Sequence, residues 1–450
     1  MNLHSKLKEL NRSGRPIRIG MIGAGKFATM FLAQARKVPG IHIVGIVELN
    51  PETARSNLSL VGWTLEQFSA ANLDEAITRG TTHISEDWSA LIKHAGINII
   101  VECTGNPIAA VEHCLTAFTE GKHVINVTVE ADAFCGAGLT AKAQAANVIY
   151  SMAYGDQPAL TAELVDWARA SGFTVVAAGR GHKWLPHYRK STPDTVWDHW
   201  GLTIEQAERG RLNAKMFTAF LDGSKPAIES AAIANATGLD APAQGLAFPP
   251  GSIDDIPTLM RPQSEGGILE SKGQVEVISC LTLDGKPVPR DIRKGVWVCF
   301  EADTEYLKNC FEEYQWITDP SGKYMSHYKR WHMIGLEFSI SIASVGLRSE
   351  ATGNAKAFRA DVAAIAKRNL KAGEILDGEG GETVYGGLRP SKISLANNYL
   401  PLGLTQGVRL KNAILDGEPV TWDDVAIDTT TAAYKLRREM EKVSRASKHP

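Results

Sequence analysis

Apolar and polar positions along residues 17–150 follow two alternating periods. Ile17-Arg18-Ile19-Gly20-Met21-Ile22 is a short apolar run that predicts a strand. Phe27 to Val38 carries its apolar residues at helical spacing, and Ile41 to Val47 predicts a second strand. Asn98 to Val101 and His123 to Val127 predict two more, with a helical segment at Ala109 to Glu120 between them. Strands alternating with helices of about 10–15 residues predict βαβ units and a parallel sheet. The segment 60–80, with Trp63, Leu65, Phe68 and Leu73, reads as an insertion before the sheet continues. Ahead of all this, Leu3, Leu7 and Leu10 share one face of a short amphipathic arm.

The pattern changes after residue 150. A buried strand at Phe173 to Ala178 leads into a polar, basic and aromatic loop from Gly179 to Trp200. Val275 to Leu283 and Gly295 to Glu301 are strand-like, and Trp331 to Val345 is a long apolar segment. These predict an α+β domain over 151–345 with a mostly antiparallel sheet. From 346 to 450 the chain predicts a small β-rich module ending in a charged helix, Ala432 to Lys448, that frays. Within it, Leu370-Lys371-Ala372-Gly373-Glu374 and Ile414-Leu415-Asp416-Gly417-Glu418 are similar turns, read as internal similarity or as two unrelated hairpins.

Composition narrows the setting. The 450 residues are 44% hydrophobic and 22% charged, with a formal net charge of -2. At about 100–200 residues per domain, two to four domains are expected. The charge gives no reason to expect nucleic acid or a membrane surface as partner. No apolar run reaches the roughly 20 residues needed to span a bilayer, and the start of the chain lacks the apolar core of a signal peptide. A cytoplasmic protein is expected. The six cysteines form no C-x-x-C pair and are expected as free, mostly buried thiols.

The chemistry starts at Gly23-Ala24-Gly25-Lys26-Phe27-Ala28, a G-x-G-x-x-A turn between a predicted strand and a predicted helix. Gly23 permits the tight turn, Gly25 lets the backbone approach a pyrophosphate, and Ala28 keeps the helix close to the sheet. Glu48 ends the second strand, where an acid binds ribose hydroxyls and favours NAD. Asn50 and Arg55 follow closely and leave room for a 2′-phosphate, so NAD and NADP both stay open. Thr104 and Gly105, after a later strand, are placed near the nicotinamide ribose.

Hydride transfer to a carbonyl needs a proton donor and groups that fix the substrate. The densest cluster for this is Arg180, His182, Lys183, His187, Tyr188, Arg189, Lys190 and Asp194. Lys183 is the candidate acid or carbonyl polariser, because burial lowers a lysine pKa; His182 stands beside it, with Ser191 and Asp194 on the same loop. Asp156 and Gln157 either reach cofactor and substrate or cap a helix that begins at Pro158. A second cluster, Lys323, Tyr324, His327, Tyr328, Lys329, Arg330, Trp331 and His332, is a candidate phosphate grip or an interfacial stripe. No metal ligand set stands out.

At these residues the sequence resembles a family. Val101-Glu102-Cys103-Thr104-Gly105 and Gly121-Lys122-His123-Val124 look like homoserine dehydrogenase. Tyr154-Gly155-Asp156-Gln157-Pro158, Ser191 to Trp197 and His332 to Glu337 resemble the homoserine-dehydrogenase-like proteins that carry a C-terminal SAF (β-clip) domain. The resemblance covers nearly the whole chain, although the second domain lacks the Asp-Lys helix pattern of homoserine dehydrogenase itself. It implies a Rossmann domain over 1–150, a catalytic and dimerisation domain over 151–345 and an SAF module over 346–450. It also implies a homodimer and NADPH. The best-known member type is similar to 1-deoxy-D-xylulose 5-phosphate reductoisomerase in activity, forming 2-C-methyl-D-erythritol 4-phosphate for isoprenoid synthesis. That activity implies a divalent cation, Mg²⁺ or Mn²⁺, and a phosphorylated sugar gripped by Arg180, Lys190, Ser191, Asp194, Lys323, Tyr328, Arg330 and His332. The alternative is an NAD(P)-dependent dehydrogenase of a small polyol, sugar acid or homoserine-like substrate.

Overall fold

A computed structural model describes residues 2–210 and 212–446. The chain divides into two compact units. The first takes in residues up to Ala159, Met333–Asn354 and Lys435–Met440; the second takes Leu160–His332, Ala355–Tyr434 and the residues from Glu441 on.

The first unit is built on six parallel strands: β1 (Ile17–Ile22), β2 (Ile41–Val47), β3 (His83–Ser85), β4 (Ile99–Glu102), β5 (His123–Asn126) and β6 (Tyr150–Met152). Their order, β3-β2-β1-β4-β5-β6, reverses direction between β1 and β4, which is the doubly wound arrangement whose reversal point holds dinucleotides. Both faces are covered, so the strands are continuous apolar runs rather than alternating ones. The insertion expected over 60–80 is instead the crossover into β3, carrying a 3₁₀ turn (Leu65–Phe68) and a helix (Leu73–Arg79). The N-terminal helix Leu3–Arg12 lays Leu3, Leu7 and Leu10 on the core beside Ile17, as its periodicity predicts. The helix Ser339–Arg348 covers the same core with Phe338 and Ile342.

The second unit holds a four-stranded sheet of order β10-β9-β7-β8, from β7 (Thr174–His182), β8 (Gln274–Ser279), β9 (Val296–Glu301) and β10 (Tyr324–Lys329). Two of its three pairings are antiparallel, so the sheet is mostly antiparallel as expected, with one parallel pairing, β7–β8, at its edge. The strand expected to end at Ala178 runs on to His182, which turns the start of the expected loop into buried strand. Gly179 and Gly181 permit this, since a Cβ at Gly179 would lie 1.8 Å from the Glu276 carbonyl oxygen. The apolar stretch 331–345 is likewise two things, a turn and then the helix Ser339–Arg348.

In the remainder of this unit β11 (Ala360–Ala366) pairs with β12 (Val384–Pro390). The two similar turns lie against each other: Leu370 and Ile414 exchange backbone hydrogen bonds of 2.8 and 3.0 Å. Each places a glycine at positive φ (Gly373 86°, Gly417 81°), and each glutamate, Glu374 and Glu418, accepts the backbone N–H three residues earlier. They are equivalent halves rather than unrelated hairpins. The C-terminal helix Ala432–Ala446 does not fray where it is described: Leu436 packs over Gly138, and the fully buried Arg437 donates to the Phe134 carbonyl. Residues 447 and 448 of that expected helix lie outside the described residues.

Glu276, on the buried face of β8, supplies a pH test of this packing. Burial pushes its carboxyl up to about 7, although the N–H groups of Val277, Ala247 and Phe248 donate to it. Its folded pKa exceeds the unfolded value near 4.5. The stability it contributes is therefore complete below that pH and lost as pH rises toward 7. Between those limits the protein is expected to lose about 3 kcal/mol relative to a Glu276→Gln variant, read by denaturant unfolding at each pH. A constant difference across that range would refute the assignment.

Candidate functional site

The dinucleotide turn has the form its sequence requires. Gly23 sits at φ 104°, and a Cβ there would come within 2.6 Å of the Cys103 carbonyl oxygen. Gly25 is the N-cap of the helix Lys26–Ala35, with no side chain capping that helix start. A Cβ on Gly25 would meet no atom within 4 Å, so the open side of the turn is available to a pyrophosphate. Ala28 is fully buried, Lys26 is exposed, and Phe27 packs edge-on against Phe338 at 5.1 Å. Glu48 closes the turn: Oε2 accepts from Ala24 N–H at 2.7 Å and Oε1 from Leu49 N–H at 3.0 Å. Asn50 caps the following helix and Arg55 pairs with Glu52 at 3.1 Å.

Thr104 and Gly105 belong to a polar network that the sequence reading did not anticipate. Glu102, wholly buried at the end of β4, accepts from the hydroxyls of Thr104 (2.5 Å) and Thr128 and lies 3.4 Å from His113 Nδ1. Gly105 N–H donates to Thr128 Oγ1 at 3.1 Å. Alongside, Asn126 and Tyr150 both donate to Asp132, at 3.0 and 2.8 Å. Burial pushes the Asp132 carboxyl up to about 7 against those two hydrogen bonds. No periodicity marks these residues, because they come from the ends of β4 and β5, the start of β6 and two helices. Asp156 and Gln157 are buried, and Asp156 Oδ1 accepts the Gln157 N–H at 2.8 Å, at the start of the helix Gln157–Ala170.

In the second unit, strand direction gathers basic groups at one sheet end. The carboxyl ends of β7, β8 and β10 and the amino end of β9 lie together, with Arg180 paired to Val296 and Val296 to Lys329. Arg180 and Lys183 come from β7 and its exit, Arg293 and Lys294 from the turn before β9, and Arg330 and His332 follow β10. Arg293 and Lys294 were not singled out by sequence; a two-residue basic turn has no distinguishing pattern.

Arg180 is buried and ion-paired to Glu229, itself buried in the helix Ser224–Thr237. Arg180 Nη2 also donates to His182 Nδ1 at 3.2 Å, while His182 Nε2 lies 2.6 Å from the Phe220 carbonyl oxygen. A carbonyl only accepts, so the His182 proton is on Nε2 and Nδ1 is the acceptor. Burial, with Arg180 and Lys294 nearby, pulls the His182 pKa well below its usual value. His182 is thus a neutral, fixed ring with both nitrogens engaged, not a free acid in a loop. Lys183 Nζ donates to the carbonyls of His199 and Trp200, both at 2.9 Å. Burial, then Arg293, lowers its pKa.

The other expected site residues are dispersed. Lys190 reaches Asp416 and the Lys367 carbonyl, Ser191 Oγ meets His199 Nδ1 at 2.8 Å, and Asp194 is exposed. The 323–332 cluster is divided by its own strand. Lys323 lies at the far end of β10, 3.2 Å from both Glu265 and Glu301, whereas Arg330 and His332 lie at the basic end, with Tyr328 on the strand between. His332 Nδ1 is 2.8 Å from the Lys294 carbonyl oxygen, and Arg330 stacks on Trp331. These residues do not form one phosphate grip. Among the described residues no group of three or more His, Cys, Asp or Glu side chains is placed to hold a metal ion. All six cysteines are free, four of them buried, as expected. No described helix is long and apolar enough to cross a membrane.

Three family models match consecutive parts of the chain. Residues 19–153 match the homoserine dehydrogenase NAD-binding domain, residues 155–338 the catalytic domain of oxidoreductase DRL, and residues 362–426 the SAF domain. The architecture is that of an oxidoreductase with an NAD-binding Rossmann domain, a catalytic α/β domain and a small β-rich SAF domain. No curated protein matches the chain. Solved structures similar to it include biliverdin reductase from Synechocystis (16% identity, 38% of this chain and 48% of that one, TM-score 0.28). Another is myo-inositol dehydrogenase from Lactobacillus casei (14% identity, 41% and 52%, TM-score 0.29). A third is yvaA from Bacillus subtilis (12% identity, 74% and 89%, TM-score 0.36). The chain spans about half the length of the first of these structures.

Proposed function

We propose that this oxidoreductase transfers hydride between NAD(H) and a small, multiply oxygenated anion of the sugar-acid type, with a polyol as the neutral alternative. The observation that carries this reading is the basic sheet end, where Arg180, Lys183, Arg293 and Lys294 surround a neutral histidine. Bound nicotinamide supplies or accepts the hydride. The chain must then neutralise charge gathering on the substrate oxygen and hold the rest of the molecule. Lys183, with two N–H groups fixed on carbonyls and one left over, polarises that oxygen and donates the proton; its lowered pKa suits the task. Arg293 and Lys294 attract the anionic end. His182, tied between Arg180 and Phe220, positions the end of β7.

Glu48 supports NAD over NADP. Its carboxylate lies at the end of β2, where the adenosine ribose is bound in this fold, and a 2′-phosphate there meets a negative charge. Arg55, on the helix that follows β2, is paired to Glu52. The test is a panel of polyols, sugar acids and homoserine with each cofactor, read by nicotinamide absorbance. Turnover with NADH and at least about tenfold tighter NADH than NADPH binding, narrowed by Glu48→Ala, supports the reading. Tighter NADPH binding would reverse the cofactor assignment.

The second reading is reductoisomerisation of 1-deoxy-D-xylulose 5-phosphate with NADPH. The basic sheet end suits a sugar phosphate, since Arg180, Lys183, Arg293 and Lys294 gather there. Absence of turnover with either Mg²⁺ or Mn²⁺ rejects it.

A further inference from the structure

Thr128 stands at the N-cap of the helix Val129–Ala145, yet its side chain makes no capping hydrogen bond. A threonine there ordinarily accepts an N–H from the first turn of its own helix. This hydroxyl is turned the other way. It donates to Glu102 Oε2 and accepts the Gly105 N–H at 3.1 Å. A hydroxyl has one proton, so donation to the carboxylate leaves only its lone pairs for Gly105. Thr128 is 2% exposed, and Asn126 holds its backbone on both sides. Asn126 Oδ1 accepts the Thr128 N–H at 3.2 Å, and Nδ2 donates to the Thr128 carbonyl at 2.9 Å. The side chain thus gives up a helix cap and ties the loop after β5 to the loop after β4.

The loop after β4 is fixed from its inner side alone. Glu102 Oε1 accepts the Thr104 hydroxyl at 2.5 Å and the Thr104 N–H at 3.3 Å. Thr104 Oγ1 in turn accepts the Asn106 N–H at 3.2 Å. The wholly buried Glu102 carboxylate therefore holds one hydroxyl from each loop, with His113 Nδ1 a further 3.4 Å contact. A buried polar network satisfied in this way is rigid and has one arrangement. Gly105 is the open point of the turn. It sits at φ 69°, and a Cβ there would meet no atom within 4 Å. Its N–H faces Thr128, and its other side is clear.

We propose that Thr128 is a positioning residue for the nicotinamide half of the cofactor, holding Thr104 and Gly105 in place through Glu102 and the Gly105 N–H. The strand order supports this. The dinucleotide turn follows β1, and Glu48 ends β2, so the adenosine half belongs over β1 and β2. The other half of a dinucleotide crosses the reversal point to β4 and β5, whose exits are the two loops that Thr128 joins. Thr128 acts through Thr104 and Gly105 rather than by contact with the ring. The inference rests on the reading of the chain as a hydride-transferring oxidoreductase, and adds to it a residue that no turn motif marks.

The test compares NADH with ADP-ribose, the same adenosine and pyrophosphate without nicotinamide, each titrated calorimetrically into the full chain. Thr128→Val keeps the side-chain shape and removes the hydroxyl. It is expected to weaken NADH about tenfold and to leave ADP-ribose within about twofold of wild type. Thr128→Ser, which keeps the hydroxyl, is expected to restore NADH binding. Glu102→Gln puts a donor where one of the two hydroxyls now donates; it is expected to show the same split, and serves if Thr128→Val does not fold. Thermal unfolding checks each variant. A merely structural role would weaken both ligands together. Equal loss of both, or NADH binding within about twofold of wild type in the folded variants, overturns the assignment. Failure of wild type to bind either ligand overturns it together with the proposed function. Absence of turnover on every substrate of the panel would sink the proposed function alone, because this comparison needs no turnover.

Discussion

Replacing Arg180 with methionine is expected to cost about 3–5 kcal/mol of stability, among the largest effects of any single substitution in the second unit. Arg180 and Glu229 are 5% and 3% exposed and paired to each other. Removing the guanidinium leaves a carboxylate in the buried interior of the helix Ser224–Thr237, between Ile228 and Ser230. The Arg180 guanidinium also donates to His182 Nδ1, so the variant frees that ring as well. The double variant Arg180→Met/Glu229→Gln is expected to recover most of the loss, because removing both charges of a buried pair is far cheaper than removing one. Denaturant unfolding of wild type, both single variants and the double variant measures this. A single-variant loss under about 1 kcal/mol would mean that the pair is solvated and the sheet end is not as described.

Gly25→Val is expected to weaken dinucleotide binding about a hundredfold while leaving unfolding unchanged. Gly25 has an ordinary φ of -72°, and its Cβ direction is open, so the folded chain accommodates the side chain. The bound pyrophosphate does not, since it must approach that backbone. Gly23→Val is the contrasting variant. At φ 104°, with the Cys103 carbonyl oxygen 2.6 Å from any Cβ, it is expected to lose more than about 1 kcal/mol of stability before any cofactor is added. Fluorescence titration with NADH and thermal unfolding of both variants separate the two roles. Equal loss of stability in both would remove the distinction between the turn and the phosphate approach.

The first unit was the more legible in sequence, for a physical reason. Strands covered on both faces must be apolar throughout, so Ile17–Ile22 and Ile41–Val47 stand out, and the glycine turn between strand and helix leaves few alternatives. The paired turns at Gly373 and Gly417 were legible because the same backbone problem selects the same residues twice. The second unit hid its site. Gly179-Arg180-Gly181-His182 reads as a loop because it is polar, yet it is buried strand, made tolerable by Glu229 from a distant helix. Lys323 to His332 reads as one cluster because its residues are neighbours, but six residues of strand at about 3.3 Å each separate its two ends by roughly 20 Å. Arg293 and Lys294 became site candidates only through strand pairing, which no local pattern encodes.

The most direct test of the hydride-transfer account is kcat/KM of Lys183→Met with the best substrate of the panel, measured together with the Kd for NADH. Burial lowers the Lys183 pKa. In the reducing direction a proton-donating Lys183 makes wild-type activity fall as pH rises through that lowered value, a limb the variant lacks. The account predicts a fall of about a hundredfold in kcat/KM with NADH affinity unchanged; a folded variant within about twofold of wild type, with the alkaline limb intact, would contradict it.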